Sequence, residues 1–112
     1  MWRKPAAGMV KINVDASFCS ENMSGATGAI ARGDKGDVVA AACWFIPHVS
    51  SVDSAEIHAV YNGIILALRI GCSSVVIESD STNAVQIFNE FFGPDVAIVL
   101  ECKQLTADLT NV

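Results

Sequence analysis

Apolar and polar side chains alternate in the N-terminal part of the chain. From Val10 to Ser17 every second residue is apolar, which is the pattern of a strand with one buried face. We predict three strands, over residues 9–18, 25–32 and 38–45. Residues 33–36 read Gly-Asp-Lys-Gly and predict a tight turn between the second and third strands. The three strands are therefore expected to form an antiparallel meander.

The pattern changes after Pro47, where a serine-rich loop leads into an apolar helix that ends at Gly71. Asp53, followed three residues later by Glu56, has the form of a capping box at the start of this helix. Helical spacing then places one stripe of mostly small residues toward a sheet. The stripe consists of Glu56, Ala59, Val60, Gly63, Ile64 and Ala67.

A short, continuous apolar run over residues 75–77 predicts a fourth strand that is covered on both faces. A helix is predicted over 82–89, and after the break at 93–95 a last helix, capped by Asp95, extends to about residue 108. Because a helix joins the third strand to the fourth, the sheet is expected to be mixed and the fold class α/β.

Composition indicates one folded, soluble domain that spans residues 1–112. The chain is 52% hydrophobic and 17% charged, and its longest apolar run, over residues 38–46, is too short to cross a membrane. No charged and then apolar leader opens the sequence, so we expect an intracellular protein without membrane contact. Four separated cysteines contain no C-x-x-C pair and are interpreted as buried thiols.

The net charge of −5 argues against binding of nucleic acid by bulk positive charge. A nucleic-acid partner is compatible with this charge only if divalent cations, held by clustered carboxylates, offset the negative charge where the substrate lies.

Three carboxylates are candidates for such a cluster: Asp15 within a strand, Glu56 in the first turn of a helix and Asp80 at the end of a strand. Asp is depleted in strands, and a charge removed from water requires a partner. Each residue also has a structural alternative. Glu56 can close the capping box, Asp80 can cap the next helix, and Asp15 can pair with Lys11 on the same strand face.

Four segments in order match a known family: residues 2–15, the Gly-Ala-Thr-Gly-Ala-Ile-Ala-Arg strand, Ala55-Glu56, and Ile77-Glu78-Ser79-Asp80-Ser81. They closely resemble the ribonuclease H-like domain of plant non-LTR retroelement reverse transcriptases, a branch of the ribonuclease H type 1 superfamily. The resemblance covers nearly the whole chain. It implies a mixed five-stranded sheet, with the first three strands antiparallel, flanked by helices.

The resemblance also implies a chemistry. Asp15, Glu56 and Asp80 would hold two Mg²⁺ ions, with Mn²⁺ as a possible substitute, and cleave the RNA strand of an RNA–DNA hybrid. Ala16, Ser17 and Ser81, beside these carboxylates, would contact the substrate.

The family pattern has a fourth acidic ligand that follows a fifth strand, whereas this chain stops at Val112, where that strand is expected to begin. Asp108 falls in the preceding predicted helix and is not a convincing substitute. We therefore expect a C-terminally truncated domain without the fifth strand and the last helix. Its fourth strand would be an exposed edge open to self-association. A non-catalytic nucleic-acid-binding or self-associating module with the same fold stays open as the alternative function.

Overall fold

The computed structural model describes residues 9–71, 74–92 and 98–102, and strands precede and then alternate with helices along the chain. The elements are β1 (Val10–Cys19), β2 (Ser24–Arg32), β3 (Val38–Ile46), α1 (Val52–Ile70), β4 (Val75–Ser79), α2 (Thr82–Phe92) and β5 (Ile98–Cys102). The predicted α/β class is confirmed.

The strands form one mixed sheet in the order β3-β2-β1-β4-β5. The pairings β1 with β2 and β2 with β3 are antiparallel, and β1 with β4 is parallel. A parallel neighbour requires a crossover connection, and α1 supplies it between β3 and β4. The predicted meander, followed by a strand that is joined through a helix, is therefore confirmed.

The expectation that the fifth strand is missing is wrong. Residues 98–102, predicted to be helical, form β5 and pair in parallel with all of β4, from Val75 opposite Ile98 to Ser79 opposite Cys102. The reason for the error is that a short apolar run with β-branched residues fits a strand covered on both faces as well as a buried helix turn. The fourth strand is consequently an interior strand, which contradicts the predicted self-association through it. Asp108 lies outside the described residues.

Helix α1 packs closely on the centre of the sheet because its contact stripe is made of small residues. Ala59, Gly63 and Ala67 are buried, as the sequence predicts. A Cβ atom at Gly63 would lie only 2.7 Å from Cγ1 of Val14 and 3.6 Å from Cγ2 of Ile77. The helix backbone therefore lies directly on β1 and β4. Helix α2 adds Ala84 and Val85 to the same apolar core.

The caps of α1 partly follow the predicted pattern. Gly71 ends the helix in the left-handed conformation, with φ of 76°, and donates to the carbonyl groups of Ala67 and Leu68. At the other end Ser51, not Asp53, is the N-cap, and its hydroxyl accepts the backbone N–H of Ser54 at 3.1 Å. The predicted capping box of Asp53 and Glu56 is not formed.

Side chains that alternate with the core residues of β1 lie on the sheet face away from α1. Asp15 on β1 and Ile30 on β2 are exposed there. Cys43 on β3 is exposed too, as is Cys19, so the interpretation of these two cysteines as buried thiols is wrong. Within the described residues, no helix is long and apolar enough to cross a membrane.

The contact between α1 and the sheet predicts the effect of a methyl group at Gly63. Gly63→Ala should lower the free energy of unfolding by about 1–2 kcal/mol, because overpacking at Val14 outweighs the higher helix propensity of alanine. Urea denaturation measures the change. Gly28→Ala is the matched control, since a Cβ atom there has no neighbour within 4 Å, and it should stabilise the strand by about 0.5–1 kcal/mol. Equal effects of the two substitutions would contradict the close packing.

Candidate catalytic site

Asp15 lies on the central strand at the point where its parallel neighbour ends. The register of β1 and β4 runs from Val10 opposite Val75 to Asn13 opposite Glu78. Asp15 and Asp80 each lie two residues beyond the last of these pairs. Both carboxylates are therefore at the same end of the β1–β4 pairing, the carboxyl end of β4. Asp15 is exposed, and its Oδ1 accepts the backbone N–H of Ala16 at 2.9 Å.

Asp80 does not cap the following helix. Ser81 has that role, because its Oγ accepts the backbone N–H of Ala84 at 3.1 Å. The N–H of Ser81 in turn donates to Oγ of Ser79 at 3.1 Å. Serine hydroxyls therefore accept hydrogen bonds from backbone N–H groups at the start of α2. The Asp80 side chain is exposed at the carboxyl end of β4.

The capping-box role that was the structural alternative for Glu56 is excluded, because Ser51 caps α1. It is half-buried, with a buried Oε2 atom. Its neighbour Ala55 belongs to a small apolar cluster with Ile46 and Val49, against which Ala16 packs. The first turns of α1 thus lie beside the part of β1 that carries Asp15.

The pairing of Asp15 with Lys11, which was the structural alternative for Asp15, is also absent. Lys11 forms an ion pair with Glu78 instead, with Nζ 3.1 Å from Oε1, and the two side chains are only 7% and 5% exposed. Lys11 and Asp15 are four positions apart on one strand, about 13 Å at strand spacing. The Lys11–Glu78 pair is the main feature of this region that sequence reasoning missed, since its partners meet only once the register of β1 and β4 is known.

No group of three His, Cys, Asp or Glu side chains among the described residues lies close enough together to hold a metal ion in this conformation. The fold brings Asp15 and Asp80 to the same end of the β1–β4 pairing. Glu56 lies on α1, which packs on the sheet face opposite to the one where the Asp15 side chain is exposed. Exposed aspartates can change rotamer, whereas the half-buried Glu56 is more restricted. The arrangement supplies hard oxygen donors, the ligand type that Mg²⁺ prefers.

The three predicted substrate contacts have different surroundings. Ser17 is exposed beside Asp15 in a shallow depression of about 320 Å³ that also includes Gly28. Ala16 is half-buried against the apolar cluster of Ala55, and the Ser81 hydroxyl is engaged at the start of α2. Of the three, Ser17 is the side chain presented to the surface next to a candidate carboxylate.

Two further polar groups border the region. The buried Oδ1 of Asn13 accepts no hydrogen bond from the described part of the chain, and this residue lines a depression of about 530 Å³ on the sheet face away from α1. On the helix side, Asn62 donates to Oγ1 of Thr27 at 2.9 Å in a buried contact between α1 and β2. Gly28, opposite Asp15 in the β1–β2 register, leaves open space beside the carboxylate.

A family model described as reverse transcriptase-like matches residues 13–105, which is most of the chain and includes all three candidate carboxylates. The chain belongs to the reverse transcriptase-like family. No curated protein sequence matches it.

Solved structures of ribonucleases H share the fold. RNase H1 from the archaeon Halobacterium salinarum is 14% identical with a TM-score of 0.70, and the match covers 83% of each chain. LC11-RNase H1, solved in complex with an RNA/DNA hybrid, is 15% identical with a TM-score of 0.60, over 91% of this chain and 74% of that one.

The N-terminal RNase H domain of Rv2228c from Mycobacterium tuberculosis, solved as a fusion with maltose binding protein, is 18% identical with a TM-score of 0.65. The match covers 78% of this chain and 63% of that one. At such identities the likeness shows the fold, and the predicted ribonuclease H-like domain is confirmed.

The buried ion pair of this reverse transcriptase-like domain predicts a large effect on stability. Lys11→Met should lower the free energy of unfolding by about 3–5 kcal/mol, because it leaves the Glu78 carboxylate buried without its cation. The double variant Lys11→Met/Glu78→Leu should restore most of the loss, since no buried charge is left behind. Chemical denaturation of both variants provides the measurement. A double variant as unstable as Lys11→Met would show that the loss is not electrostatic.

Proposed function

We propose that this domain is a metal-dependent ribonuclease H that hydrolyses the RNA strand of an RNA–DNA hybrid. The observation that carries the proposal is the placement of Asp15 and Asp80 at the same edge of the β1–β4 pairing, where neither has a structural task. Both carboxylates are exposed, so a cation can reach them from solvent. The shared fold with solved ribonucleases H supports the same assignment.

Asp15, Glu56 and Asp80 are the residues that would hold Mg²⁺ or Mn²⁺. When bound, two such ions would supply activation of a water and stabilisation of the leaving oxygen in an in-line phosphodiester displacement. Oδ1 of Asp15 accepts a hydrogen bond from the Ala16 N–H group, so a cation would be bound through Oδ2 or after rotation of the carboxylate. The exposure of Asp15 and Asp80 permits such rotation, while the helix holds Glu56 beside β1.

The Lys11–Glu78 pair supports this assignment through its charge. Glu78 lies two residues before Asp80, and without compensation it would add a fourth negative charge close to the three ligands. Lys11 offsets that charge at 3.1 Å. The remaining negative charge of the site then comes from the proposed metal ligands. Two divalent cations can neutralise this charge and so allow the phosphate backbone to approach.

The open surface around Asp15 suits a nucleic-acid backbone. Gly28 leaves space on one side of the carboxylate, and the exposed hydroxyl of Ser17 can donate to a phosphate or a 2′-hydroxyl oxygen. LC11-RNase H1, a structural relative, was solved with an RNA/DNA hybrid. We propose the same substrate class here. We also propose an origin in a plant non-LTR retroelement reverse transcriptase, and the family match supports the reverse transcriptase part of this proposal.

A second candidate function is a nucleic-acid-binding module without turnover. Two observations favour it: the net charge is −5, and no three candidate ligands among the described residues converge on one point. The two functions differ in their response to metal, because only the first requires the carboxylates to bind a cation.

Asp15→Asn should reduce cleavage of an RNA–DNA hybrid in Mg²⁺ to the level of an enzyme-free control, because it removes a charged ligand while keeping the side-chain shape. A gel assay with labelled RNA measures the product. Asp37→Asn, an exposed acid in the β2–β3 turn, is the matched control and should leave cleavage unchanged. Cleavage retained by the Asp15 variant would refute the proposed role.

Metal should also stabilise the folded chain. At a Mg²⁺ or Mn²⁺ concentration 100 times the dissociation constant, the free energy of unfolding should rise by about 2.7 kcal/mol, and Asp15→Asn should abolish the rise. Thermal denaturation with and without metal tests this independently of turnover. Stabilisation without cleavage would favour the non-catalytic module, and the absence of any metal effect at millimolar concentration would argue against a metal site.

A further inference from the structure

Strand β3 has an unusually unprotected outer edge. It is the first strand in the sheet order, and among the described residues no strand pairs with its other side. Its nine residues, Val-Val-Ala-Ala-Ala-Cys-Trp-Phe-Ile, contain neither a charged residue nor a proline. Edge strands of natural proteins usually carry lysine, proline or a bulge because bare backbone N–H and C=O groups pair with other chains. Here a register shift near Val38 is the one such feature, and it affects the end of the strand alone.

Large apolar side chains are exposed at both ends of β3. Val38 is 54% exposed, Val39 47% and Phe45 73%. Between them the strand is built of small residues, and Ala41 and Cys43 are exposed on the sheet face away from α1. Within the described residues, this edge therefore combines backbone groups that have no strand partner, small side chains in the middle of the strand and large apolar side chains at both ends.

We propose that β3 pairs antiparallel with β3 of a second copy of this chain, about a two-fold axis through Ala42. Two five-stranded sheets would then join into one continuous sheet. In this register Val38 faces Ile46, Val39 faces Phe45, Ala40 faces Trp44, Ala41 faces Cys43, and Ala42 faces its own counterpart.

The distribution of side-chain size identifies a second copy as the partner. An antiparallel self-pairing places each large residue opposite a smaller one, so that Trp44 covers Ala40 and Phe45 covers Val39. A parallel arrangement would instead set Trp44 beside Trp44 and Phe45 beside Phe45. A two-fold axis generates the antiparallel arrangement, in which both copies use the same edge strand for the contact.

Charge does not oppose the association at this edge. Each chain carries a net charge of −5, but β3 contributes none of it. The like charges of the two copies are thus kept off the pairing strands themselves. The register centred on Ala42 is preferred over its neighbours because it pairs all nine residues and so makes the largest number of backbone hydrogen bonds. The proposal does not depend on the proposed nuclease activity.

Sedimentation velocity of the full chain tests the association. A dimer that dissociates on dilution is expected. Ala41→Lys should convert it to a monomer with an unchanged circular dichroism spectrum, since each lysine would lie against Cys43 of the other copy and the two charges would be diagonal neighbours on one sheet face. Leu68→Lys is the control: it adds the same charge to a 73% exposed residue of α1, away from the pairing edge, and should leave the dimer intact. A wild-type chain that stays monomeric at high concentration, or a dimer insensitive to Ala41→Lys, would overturn the proposal.

Disulfide trapping tests the register. In a Cys19→Ser background, Ala41→Cys places its new thiol directly opposite Cys43 of the other copy, at a Cα separation of about 4.5–5.5 Å that a disulfide can span. Diamide, which takes up the two electrons and two protons of the thiol pair, should give a covalent dimer that Cys43→Ser removes. Ala40→Cys, which lies on the opposite strand face, should trap far less. Equal trapping at both positions would overturn the register.

Discussion

The parallel pairing of β1 with β4 is the interaction on which the rest of this structure depends. It joins residues more than sixty positions apart in the chain and makes β1 the central strand, with an antiparallel neighbour on one side and a parallel one on the other. Parallel strands need a crossover, so the pairing also determines the path of α1. Because β4 ends where β1 continues, the same pairing brings Asp15 and Asp80 together.

The buried Lys11–Glu78 ion pair lies within this pairing. A buried ion pair is weak support for stability in itself, because desolvation of both charges offsets much of their attraction. The pair has a stronger effect on other registers of β1 and β4. A register that separates Lys11 from Glu78 and keeps both side chains buried breaks this ion pair and is therefore disfavoured. We interpret the pair as an element that favours one register, and this register is the one that aligns the candidate carboxylates.

Helix capping explains how the candidate carboxylates remain available. Near the start of both helices a serine and an acidic residue lie within two positions of each other, and both residue types are good N-caps. The structure uses Ser51 for α1 and Ser81 for α2. The sequence analysis named Asp53 as a cap of α1 and left capping of α2 open as an alternative role for Asp80, because a pattern alone cannot rank two closely spaced capping residues. The choice of serine leaves Asp80 free of that structural task.

Local patterns in the sequence determined the meander, the start and end of most elements and the small-residue stripe of α1, since alternation and helical spacing depend only on neighbouring residues. They also singled out Asp15, whose position within a strand has no local explanation. Tertiary structure alone decided that residues 98–102 form a strand, because a short apolar run acquires its conformation from the β4 edge that it pairs with. It likewise decided that Lys11 meets Glu78 and not Asp15, since a contact between distant strands exists only after their register is set.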